Sequence, residues 1–175
     1  MTSHTARVEC LDSDIWIRLS GREEMADDDR QALWLGVSCN PLDWQLSALP
    51  QVLNSFLSSL STLETLQIAV SRPDWQGEIE VIQWRELLHP FTAVKSVTLG
   101  SDHSVRLVAP ALQELAGERA TEVLPALQNL FLRTGDWRPS GPVKEAIEQF
   151  IAARQLHGHP VTVHYWDKNS RTYVQ

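Results

Sequence analysis

Apolar residues return along this chain at fixed spacings. Leu63-x-x-Leu66-x-Ile68, Val94-x-x-Val97-x-Leu99 and Leu127-x-x-Leu130-x-Leu132 share one pattern, separated by 31 and then 33 residues. The period-two alternation that ends each segment predicts a short strand with one buried face. An interval of 31 counted back from Ile68 reaches Leu35-Gly36-Val37, and counted forward from Leu132 it reaches Val161-Thr162-Val163, giving five predicted strands. Between them the spacing changes to three and four, the repeat of a helix. Leu49, Val52, Leu53, Phe56 and Leu57 form one stripe. Trp84, Leu87 and Leu88 form a second within 80–88, stopped by His89-Pro90 because the residue before proline resists the α region. Val108, Ala111, Leu112 and Leu115 form a third, with Pro110 suited to a first helical turn and Gly117 to a stop. The clearest helix opens at Pro142, lines Val143, Ala146, Ile147, Phe150 and Ile151 along one side, and closes at Gly158 and Pro160.

Strand and helix alternating at this period predict an α/β fold: a leucine-rich-repeat-like solenoid, with a curved, mainly parallel sheet and helices on its convex side. The asparagine that often bonds the turn after such strands is nearly absent, since its position reads Asn40, Ser71, Asp102, Gly135 and Trp166. A solenoid needs capped ends, because an open strand edge recruits other chains. Ile15, Ile17 and Leu19 alternate with Trp16 and Arg18 ahead of an acidic turn over 21–30, so an antiparallel hairpin is expected against the first repeat strand at Leu35, with Arg7 to Leu11 as a third strand. The expected organisation is one domain: a capping hairpin over 1–30, strand–helix repeats over 31–166 and a C-terminal tail over 167–175.

Composition narrows the function. At 175 residues and 43% hydrophobic, the chain can bury a single substantial core. No apolar run is long enough to span a bilayer and the N-terminus is polar, so no membrane partner and a cytoplasmic or nuclear location are expected. Cys10 and Cys39, the two cysteines, are expected to be reduced thiols. A net charge of −7 with scattered basic residues argues against nucleic acid as a partner. The seven tryptophans are spread along the chain and read mainly as core or inter-repeat packing.

Catalytic signatures are missing. Neither a G-x-x-x-x-G-K nor a G-x-G-x-x-G loop is present, and no G-x-S-x-G elbow. Asp102-His103-Ser104 has the residue types of a triad, but sequence adjacency prevents the geometry, and helix N-capping by Asp102 or Ser104 is the better reading. His157, His159 and His164 fall in a turn and a strand with no accompanying carboxylate or thiol, and read as loop and surface histidines. Glu78, Glu80, Glu145 and Glu148 read as solvated faces. No catalytic residue, cofactor or metal is therefore expected.

Binding is the positive expectation. Strand alternation sends the neighbours of each inward Leu or Val to the opposite, concave face. Trp34, Gln67, Thr98, Asn129, Phe131, Arg133 and His164 are the expected partner-binding residues there. Trp34, Phe131 and Arg133 lead, because aromatic and Arg side chains dominate binding hot spots.

The segments LSTLETLQI, QWRELLHPFTAVKSV, VAPALQEL, TEVLPALQNLFL and GPVKEAIEQFIAARQLHGHPVTV, which cover most of Trp44 to Trp166, resemble mushroom-type fungal F-box proteins with leucine-rich repeats. The resemblance implies a repeat domain that selects targets for a cullin-type ubiquitin ligase, while an N-terminal F-box docks the adaptor. Nothing before Trp44 resembles an F-box, so this chain alone is not expected to bind the adaptor. The expected function is a non-enzymatic protein–protein interaction module with an unknown protein target, which the resemblance implies is the target-recognition part of such a ligase receptor. The alternatives are a truncated or structural scaffold without a ligase link, and an enzyme whose site carries no familiar motif.

Overall fold

A strand that alternates Leu66, Ile68 and Val70 with Thr65, Gln67 and Ala69 can bury only one side. In the computed structural model, which describes residues 5–10, 14–20, 33–38, 60–70, 81–115, 121–133, 139–167 and 172–174, the apolar side is the buried one. Eight strands form one sheet: β1 (Thr5–Cys10), β2 (Asp14–Ser20), β3 (Leu33–Ser38), β4 (Thr65–Val70), β5 (Ser96–Leu99), β6 (Asn129–Leu132), β7 (Thr162–Asp167) and β8 (Thr172–Val174). Their order is β3-β2-β1-β4-β5-β6-β7-β8. The run from β1 through β4, β5 and β6 to β7 is parallel; β2, β3 and β8 join antiparallel. The described helices are α1 (Val81–Leu88), α2 (Asp102–Glu114) and α3 (Gly141–Leu156).

The repeat extends into the turn before each strand. Leu60, Phe91 and Leu124 lie three residues ahead of Leu63, Val94 and Leu127, and all six are buried. The amide of Leu63 donates to the Leu60 carbonyl (3.2 Å), that of Val94 to Phe91 (3.4 Å) and that of Leu127 to Leu124 (3.0 Å). Neighbouring units are stitched alike. The amides of Lys95 and Ser96 both donate to the Glu64 carbonyl, and those of Gln128 and Asn129 both donate to that of Lys95. The same hydrogen-bonded turn thus recurs three times, because the same apolar spacing buries the same positions; Leu124 differs from Leu60 and Phe91 in entering it with a positive φ of 52°.

Strand order explains where the helices lie. Parallel crossovers are right-handed, so a sheet that advances steadily from β4 to β7 puts every crossover helix on the same face. Side chains from α1, α2 and α3 accordingly share one core with Leu66, Ile68, Val97, Leu99, Leu130 and Leu132. α3 ends as its sequence suggests: Gly158 takes a φ of 80°, its amide donates to Gln155 and the His159 amide to Arg154, an αL stop that glycine makes without strain.

Among the described residues, two polar side chains are fully buried, Ser104 and Arg154. Ser104 Oγ accepts from the Val70 amide (3.0 Å), while Ser101 Oγ donates to the Val70 carbonyl (2.8 Å) and accepts from the Ser104 amide (3.1 Å). The pair ties the start of α2 to the end of β4. Arg154 Nη2 donates to the carbonyls of Pro125 (3.2 Å) and Leu127 (3.0 Å), clamping α3 to the turn that leads into β6. Desolvation pulls its guanidinium below the usual arginine range. Arg154→Leu is expected to lower stability by about 2–4 kcal/mol, since two carbonyls lose their donor while relief of the guanidinium's desolvation offsets part of the loss. An unchanged midpoint in a denaturant titration would contradict this clamp.

Several expectations are corrected. The strand at Leu35 does not pair with the strand at Leu66: β1 occupies that place, with Ala6 opposite Leu66 and Val8 opposite Ile68, and Leu35 sits on β3 at the sheet's edge. The Ala6/Val8 alternation meets the same face requirement, and the three-strand meander joins the repeats by its first strand instead of its last. Pro110 lies inside α2, at an exposed position, because the helix starts eight residues earlier at the Ser101 cap. The cap is Ser101, not Asp102 or Ser104. The segment read as a tail contains β8. The stripe from Leu49 to Leu57, Gly117 and Cys39 lie outside the described residues.

Candidate recognition surface

With the described helices on one face, the opposite face of the sheet is lined by the alternate residues of each strand. Backbone pairing sets them in rows. One row runs through Trp34, Arg18, Arg7, Gln67, Thr98, Phe131 and His164, crossing seven strands. Asn129 precedes Phe131 by two residues and Arg133 follows it by two, so both flank the row on the same side. These residues are half-buried, and Arg133 is exposed; of Trp34 only the strand position is described.

Six of the seven expected residues therefore come together. Trp34 does not, because β3 lies five strands from β6, about 24 Å at the usual strand spacing. His164 stays on the expected face but pairs with Phe131, two residues from the row the 31-residue interval gives, since Val163 aligns with Leu130 rather than Leu132.

Aromatic packing concentrates at the β6–β8 end. The Phe131 and His164 rings stack with centroids 4.6 Å apart at 17°, and Tyr173 meets Phe131 edge-on at 4.9 Å. Trp166 meets Tyr173 edge-on at 5.0 Å, and the Arg133 guanidinium lies 5.3 Å from the Trp166 ring centroid. Asn129 Oδ1 and His164 Nε2 are 3.2 Å apart, which fixes the imidazole against the sheet. Burial raises the Tyr173 phenol above its ordinary value and the Arg133 charge pulls it partly back, so the hydroxyl stays protonated at neutral pH. At the far end Arg7 and Glu9 form an ion pair beside Trp16 and Arg18.

Trp166 and Tyr173 escaped the sequence reading. Continuing the alternation Thr162, His164 by one more step reaches Trp166, a signal hidden by reading that position as a turn. Tyr173 had no such signal, because its arrival depends on β8 folding back beside β7. Of the tryptophans expected mainly in core or inter-repeat packing, Trp84 is buried, whereas Trp16 and Trp166 belong to the open face; Trp44, Trp75 and Trp137 lie outside the described residues. No group of His, Cys, Asp or Glu among the described residues could hold a metal ion, and no described helix is long and apolar enough to cross a membrane. The void among Ile68, Leu88, Val97, Val108, Leu112, Leu124, Leu127 and Leu130 is about 10 Å³ and lined by apolar side chains, too small for a ligand.

No family model matches the chain, and no curated protein matches it either. Among solved structures, "Thermus thermophilus RuvC structure" overlaps it at 12% identity with a TM-score of 0.32, covering 89% of this chain and 96% of that one. A likeness of that size assigns neither a fold nor an activity to this chain.

Proposed function

We propose that this chain is a non-enzymatic, leucine-rich-repeat-like recognition module that binds a protein target on the face of its sheet opposite the described helices. The observation that carries the reading is the cluster of Phe131, Arg133, His164, Trp166 and Tyr173, which gathers hot-spot residue types on a half-exposed sheet face. The recurring turn at Leu60, Phe91 and Leu124 supports the repeat reading, because solenoid units are built by repeating one local geometry. In the ligase version of this reading, the chain selects the target and an F-box element supplies adaptor binding. A target is expected to be a protein, without a nucleic-acid or membrane partner.

The test is affinity capture in the organism that encodes the chain, comparing wild type with Phe131→Ala, Arg133→Ala and Glu148→Lys. Glu148 is exposed on α3, on the opposite side of the molecule from the sheet's open face. Partners retained by wild type and by Glu148→Lys should be weakened by about 1–3 kcal/mol in the two open-face variants, with little change in melting temperature. Loss of capture only with Glu148→Lys would move the interface to the helices.

A further inference from the structure

We propose that the Phe131 end of the open face takes an acidic peptide segment, with a carboxylate on Arg133 and an adjacent apolar side chain against Phe131 and Tyr173; this rests on the recognition reading above. Charge placement argues for it. The chain carries 22 acidic and 15 basic residues, yet the open-face positions of β4 to β8 hold no carboxylate. The nearest one described on this face, Glu9, is paired with Arg7 and lies three strands from β6, about 14 Å away and beyond the screening length of about 8 Å at physiological salt. An anionic ligand is therefore repelled by most of the molecule and accepted locally here.

Arg133 is prepared for such a contact. It is exposed, has no ion-pair partner among the described residues, and lies over Trp166. Stacking restrains the side chain while leaving the N–H groups along the guanidinium edge open to a carboxylate. Beside it, Asn129 engages His164 through its carbonyl oxygen, which leaves the amide donors for a peptide backbone. A nucleic-acid strand fits less well. Phe131 is already stacked on His164 and met by Tyr173, Trp166 carries Arg133, and a single guanidinium is too little charge for a phosphate backbone.

The experiment pans a random-peptide phage library on the purified chain and measures selected peptides, with oligouridylate as the nucleic-acid probe. Selected peptides should pair Asp or Glu with a neighbouring aromatic or aliphatic residue. Their binding should fall about tenfold or more in Arg133→Gln, and fall again between about 0.1 M and about 1 M salt, while Glu148→Lys binds as wild type. Peptides without acidic residues that are lost in Phe131→Ala but bind Arg133→Gln normally would overturn the acidic specificity and leave the recognition reading standing. Peptides lost only in Glu148→Lys would overturn both. Selection of no peptide, or tighter Arg133-dependent binding of oligouridylate, would also overturn the proposal. Because Phe131→Ala removes a half-buried ring, the exposed Arg133→Gln variant decides if the former unfolds.

Discussion

Trp84→Ala is expected to lower stability by about 3–5 kcal/mol, the range for truncating a fully buried large aromatic. Trp84 is among the largest buried side chains, and it anchors α1, whose eight residues are too few to form a helix in isolation. Its loss should both open a cavity and release the helix. Native-state hydrogen exchange should show the α1 amides opening well below the global unfolding energy, and a denaturant titration should give the total. Trp84→Phe should cost less than the lost area alone implies. The buried indole N–H has no acceptor among the described residues, so the substitution also removes an unsatisfied donor. Equal destabilisation by Ala and Phe would contradict the packing role.

The second large effect separates the two faces of the sheet. Leu130→Ala should cost about 2–5 kcal/mol, because Leu130 is buried in the sheet core and already borders the small apolar void, which the truncation would enlarge. Thr98→Ala, one strand away on the open face, should stay within about 0.5 kcal/mol. The two are nearly adjacent in the fold, so the contrast reports face and not position. Equal midpoint shifts would mean that the open face is packed against something.

Arg154 shows how the sequence can be misread within a helix it otherwise describes well. The stripe Val143, Ala146, Ile147, Phe150 and Ile151 predicts α3, and Ala146, Ile147 and Phe150 are buried as expected. Arg154 continues that stripe four residues beyond Phe150, yet a charged residue there reads as surface until the carbonyls of Pro125 and Leu127 are seen beneath it. The same holds for Ser104. It reads as an N-cap candidate, but the cap is Ser101, and only the approach of Val70 from β4 explains why Ser104 is buried.

What the sequence by itself determined was which side of each central strand is buried and where the clearest helix begins and ends. Both follow from short-range periodicity: a one-residue slip would turn Leu66, Val97 and Leu130 out to the open face, so the alternation specifies the face strongly. It thereby placed Gln67, Thr98, Asn129, Phe131, Arg133 and His164 on one surface. Only the tertiary structure decided which strand lies beside which at the two ends. Every strand edge offers the same backbone donors and acceptors, so nothing in the pattern distinguishes β1 from β3 as the neighbour of β4, or foretells that β8 returns beside β7. Those two pairings are what carry Trp34 away from the cluster and bring Tyr173 into it.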